Sequence, residues 1–107
     1  MTRDLVSRRE AEEVLDLLRE APEPLSSLVW TRRRRAYEEA VKEGVLSELA
    51  GHLRDLAGKN PLSHAERVLR DRLRAMVADE LALVLGKSRP QALDLLAEAQ
   101  RASLEKR

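Results

Sequence analysis

The chain has 107 residues, a length that suits one domain around a single core, and its formal net charge of +1 gives it no global attraction for nucleic acid, so any basic footprint has to be local. It has no Cys, which excludes disulfides, thiolate zinc sites, iron–sulfur clusters and a Cys nucleophile. Phe is absent and Trp30 and Tyr37 are its only large aromatics, so Leu, Val, Ala and Met must build the core in an alphabet rich in helix-favouring residues.

Ser7-Arg8-Arg9-Glu10 has the spacing of a capping box and predicts a first helix over residues 8–20, with Ala11, Val14, Leu15 and Leu18 as its apolar repeat. Ala21-Pro22-Glu23-Pro24 ends it, because Pro removes a donor and biases the preceding residue away from the helical region. Ser26 or Ser27 is the expected cap of a second helix over 28–43, which carries Trp30, Arg32 to Arg35, Tyr37 and Val41 and stops at Gly44. A third helix, 45–57, has Leu46, Leu49, Leu53 and Leu56 as its stripe and stops at Gly58. Ser63-His64-Ala65-Glu66 is another capping box and opens a long helix over 64–85, with Leu69, Leu73, Met76, Val77, Leu81 and Val84 inward and Gly86 as its stop. Ser88-Arg89-Pro90-Gln91 repeats the start signal for a last helix over 89–103, with Leu93, Leu96 and Ala99 inward and a tail expected to fray from Arg101.

No strand-like alternation competes, and the cap signals do not recur at the constant period of a repeat array. The expectation is an all-α, compact single-domain bundle of about five helices spanning 1–107. No apolar run approaches the roughly 20 residues needed to cross a bilayer, and Met1 to Glu10 is charged, unlike a leader. Those features, with the missing Cys, predict a cytoplasmic monomer that does not engage membranes.

Trp30 followed by Arg32, Arg33, Arg34 and Arg35 is the unusual constellation. Four consecutive helical residues fan out over most of the circumference, so they cannot share one solvated stripe. Arg33 and Arg34 lie three and four residues after Trp30, within reach of the indole. Two readings fit. In one, Trp30 is a core aromatic and the arginines pair with Glu38, Glu39 and acids of other helices. In the other, the cations meet phosphate oxygens while the ring enters a minor groove or stacks on an unpaired base.

Arg67, Arg70, Arg72 and Arg74 form a second basic group at the start of the long helix; Arg67, Arg70 and Arg74 share a face, and the group either extends such a phosphate-tracking patch or pairs with Glu66, Asp71 and Asp79. His52 and His64 lack the spacing of metal ligands, and the acids are interleaved with cations throughout. The glycines follow helices and so do not form a phosphate-cradling loop. The expectation is a chain with no metal, no cofactor and no catalytic centre.

The order of several blocks resembles one known family. Leu5-Val6 with Ala11-Glu12-Glu13-Val14-Leu15 and Leu17-Leu18 is followed by a Pro-rich break and by Trp30-Thr31-Arg32-Arg33. Gly44, Leu49-Ala50, Leu53-Arg54-Asp55-Leu56, Leu62-Ser63, Glu66-Arg67 and Glu80-Leu81-Ala82-Leu83-Val84-Leu85-Gly86 then come in order. This pattern, spanning nearly the whole chain, resembles the C-terminal domain of the CarD/CdnL family of bacterial transcription factors, with the Trp-x-Arg-Arg and Glu-Leu-Ala-Leu blocks as its more specific parts.

The resemblance implies a helical bundle whose Trp wedges into the minor groove at the upstream edge of the melting promoter bubble. Trp30 would be that wedge, and Arg32, Arg35 and Arg67 would hold phosphates. The family also carries an N-terminal domain that grips RNA polymerase; no counterpart is seen here, so polymerase contact is expected only through such a missing domain. Arg34 stands where the family often has Tyr or His. The functional expectation is a non-enzymatic DNA-binding module of a CarD-like transcription regulator, contacting promoter DNA weakly and with little sequence preference through Trp30, Arg32, Arg33, Arg34, Arg35, Arg67 and Arg70. The alternative is a helical interaction module that docks an acidic protein partner without DNA.

Overall fold

Ser7, Ser63 and Ser88 each present a hydroxyl to the backbone N–H three residues on, and each starts a helix. A computed structural model describes residues 6–25 and 30–106, which form α1 (Arg8–Arg19), α2 (Trp30–Glu43), α3 (Leu46–Ala57), α4 (His64–Leu85) and α5 (Arg89–Glu105), with no strand among them. Ser63 and Ser88 complete reciprocal capping boxes with Glu66 and Gln91. At Ser7 the return arm goes astray: the hydroxyl, not the backbone N–H, faces Glu10 Oε1 at 3.4 Å. The expected start of α2 at 28 and its cap at Ser26 or Ser27 lie outside the described residues.

α1, α3, α4 and α5 pack on one another around a core of Leu18, Leu49, Leu53, Leu56, Leu73, Val77, Leu81 and Leu96. The apolar repeats of α1 and α3 are buried as their spacing predicts. On α4, Leu73, Val77 and Leu81 are buried while Leu69, Met76 and Val84 are half-buried at the rim. Ala78 and Ala92 also reach the interior, where small side chains let the helices approach. α5 does not fray from Arg101: it runs on to Glu105, because Ser103 is buried and donates to the Glu20 carbonyl at the end of α1.

The described residues that follow α1 are pinned from α3. Buried Arg54 reaches the Leu17 carbonyl and, at 2.9 Å, Asp55, whose carboxylate also accepts the Glu23 N–H. Gly44 and Gly86 end their helices with φ near 69° and 64°, the left-handed geometry that glycine tolerates. Gly58 ends α3 without it, at φ −77°. A side chain there would meet Pro22 at 2.5 Å, so this glycine serves close approach and not a left-handed turn.

α2 is the lightly attached element. Only Tyr37 and Ala40 of its fourteen residues are buried, and its backbone packing is against α3.

Candidate nucleic-acid interface

Trp30 is the first described residue of α2, and no acid occupies the first described turn. The peptide dipoles make that end of a helix positive, so Arg32 and Arg33 add cations where the backbone already disfavours them. An arrangement with this local cost is relieved by an anion, supplied from within the fold or from outside it.

For Arg33 the anion is internal. Its Nη2 lies 3.1 Å from Glu66 Oε2, with the two side chains 12% and 2% exposed. Lys59 Nζ sits 2.7 and 2.8 Å from the two oxygens of the same carboxylate, and the Ser63 N–H donates to it at 2.9 Å. Burial pushes the Glu66 carboxyl up, but hydrogen bonds from Lys59, from the Ser63 backbone and hydroxyl and from Arg33 outweigh it and hold the group at about 2.

The same Arg33 guanidinium lies over the Trp30 ring, 5.3 Å from its centroid. Tyr37 follows along the helix with its ring 6.2 Å from the indole, and His52 of α3 meets Tyr37 edge to face at 5.1 Å. Trp30 is therefore neither swallowed by the core nor fully displayed: it is half-buried at the core's edge, gripped by Arg33. Its open side borders a groove of about 350 Å³ between α2 and α4, where Arg34, Val68 and Arg72 also stand.

The remaining arginines divide. Arg34 bonds Glu38 one turn on, at 2.9 Å, in an exposed pair. Arg32 and Arg35 are exposed and form no ion pair among the described residues. Arg67, also exposed, forms none either, whereas Arg70 bonds its neighbour Asp71 at 3.2 Å.

Arg67 and Arg70 are not brought beside Trp30. They line a separate groove with Lys59, Asn60 and Leu104. On α4 the flank that faces the indole carries Ala65 and Arg72, seven residues apart and hence aligned, while Arg67 and Arg70 fall on the opposite flank. Sequence reasoning thus did not single out Arg72 as the α4 arginine lining the Trp30 groove, or Glu66, itself bonded by Lys59, as the partner of Arg33. The Glu66 capping box was a visible signal, but its second role depends on a residue 33 positions away.

Among the described residues no three His, Asp or Glu side chains group to hold a metal ion, and no helix is long and apolar enough to cross a membrane. The fold and this face define a small helical module that presents an aromatic-bearing basic surface. The family model described as CarD, C-terminal domain, matches residues 13–97, from within α1 to within α5. The chain belongs to that family and is a CarD-like transcription-regulator domain. No curated protein sequence matches it significantly.

Proposed function

We propose that this domain contacts promoter DNA through the first turns of α2, with Trp30 entering the minor groove at the edge of an opening duplex and Arg32 and Arg35 on flanking phosphates. The observation that carries the reading is the half-open indole at a helix's positive end, with exposed cations that have no acidic partner among the described residues, in a chain of the CarD family. Arg34 joins the same surface by exchanging Glu38 for a phosphate. Arg33 holds the indole from behind. Arg67 and Arg70 belong to a second basic face, which reaches DNA only if the duplex wraps past the end of α4. Such a surface does no chemistry: it favours a melted junction by binding it better than closed duplex. Polymerase contact, in this reading, is made by a separate domain of the kind the family carries.

Binding to forked and fully paired DNA at low salt tests the proposal. Trp30→Ala, with its helical content intact, is expected to lose the preference for the fork. Arg32→Ala is expected to lower the salt slope of binding by about 1, as one lost phosphate contact does. A chain that binds neither DNA, or whose slope is unchanged in Arg32→Ala, contradicts the proposal and favours an acidic protein partner for this face.

A further inference from the structure

α2 has little backbone packing to hold it, and its link to α4 runs through side chains. We propose that Glu66 is a positioning residue for Trp30: its buried carboxylate fixes the Arg33 guanidinium, and that guanidinium fixes the indole. Three observations converge on this. Glu66 is 1% exposed, so its carboxylate is satisfied from within the fold and not by solvent. Each oxygen has a distinct set of donors, Oε2 taking Arg33 and Oε1 taking the Ser63 N–H, with Lys59 bridging both. Arg33 in turn is both ion-paired and stacked, its charged carbon 5.3 Å from the ring centre, so a long flexible side chain is fixed at its tip.

Glu66 is also the third residue of a capping box, and the two roles separate cleanly. α5 is capped by the same device with Gln91 in place of Glu, so a Gln suffices for the cap in this very chain. A Gln at 66 has one acceptor oxygen. With that oxygen on the Ser63 N–H, its NH2 group faces Arg33 and Lys59, which are donors only. Glu66→Gln therefore keeps the helix start and releases Arg33.

Trp30 is the chain's single tryptophan, so fluorescence excited at the red edge, where Tyr37 does not absorb, reports on it alone. In the intact chain, Glu66→Gln is expected to shift the emission to the red and to raise quenching by acrylamide roughly twofold, with unchanged far-ultraviolet circular dichroism. Ser63→Ala, which removes the cap acceptor and leaves the carboxylate charged, is expected to lower stability without moving the emission. An unmoved emission and quenching in Glu66→Gln overturns the proposal. If Glu66→Gln does not fold, Arg33→Met is read in the same way, and an indole as protected as in the parent overturns it.

The consequence for DNA rests on the function proposed above: Glu66→Gln should then weaken binding to forked DNA although Glu66 itself touches none. An indole that moves while fork binding is unchanged leaves the positioning in place and removes Trp30 from the DNA surface. An indole that does not move ends the positioning, whatever the DNA result.

Discussion

At the scale of single residues, Glu66 is the group whose chemistry departs most from the ordinary. Its carboxyl is lowered from 4.5 to about 2 in the folded chain. A depressed acid contributes stability that is present above the unfolded value and is lost as pH falls toward the folded one, so the window here runs from about 4.5 down to about 2. The shift corresponds to a contribution on the order of 3 kcal/mol at neutral pH. Urea unfolding at pH 6 and pH 3 should show the parent losing more stability than Glu66→Gln, and parallel losses would contradict the assignment. The same residue explains why the Trp-Arg cluster reads ambiguously in the sequence. The four arginines could be read as pairing with acids or as meeting phosphates, whereas the fold divides them: Arg33 inward to Glu66, Arg34 along its own helix to Glu38, and Arg32 and Arg35 outward.

At the scale of elements, three helix starts are set by contacts three residues apart, and these were legible: Ser7, Ser63 and Ser88 each accept the N–H that their spacing assigns, although the return bond of the box is made only at Ser63 and Ser88. Helix ends were legible at the Pro-rich break after α1 and at Gly44, Gly58 and Gly86, but the physical reason at Gly58 was not. Gly44 and Gly86 adopt the left-handed turn, but Gly58 does not, and its reason is Pro22, a residue of a different segment. Gly58→Ala is thus expected to destabilise by about 1–3 kcal/mol through a clash with the ring, against the usual gain of a Gly to Ala change at a right-handed position. Chemical denaturation measures this, and Pro22→Gly in the same chain, which removes both clashing carbons, should recover part of the loss. A stabilising Gly58→Ala would show that the linker is not pinned where α3 ends. Which groove Arg67 and Arg70 line was not legible for a similar reason. Spacing puts them on one face of α4, but which flank of α4 meets α2 is decided by packing across the bundle. The fraying expected beyond Arg101 ignored Ser103, whose bond to the Glu20 carbonyl joins residues 83 apart.

At the scale of the molecule, α1, α3, α4 and α5 form the body, and α2 is carried on its edge by α3 and by the Arg33–Glu66 bridge. This division suits a contact helix. The body supplies the stability, so α2 is free to hold cations at its positive end and a half-open indole at its tip, features that a purely structural helix avoids. A net charge of +1 keeps any pull toward an anionic partner local to that face, and under the proposed function short-range contacts there would decide the preference for one DNA form over another. The sole tryptophan makes this directly observable. Titrating the chain with forked and with fully paired DNA at low salt, while following Trp30 emission, should give saturable quenching by the fork that weakens as salt is raised, and much less by the closed duplex. Binding that leaves the emission unchanged, or quenching that does not distinguish the two DNAs, would contradict a role for this indole at a melted junction.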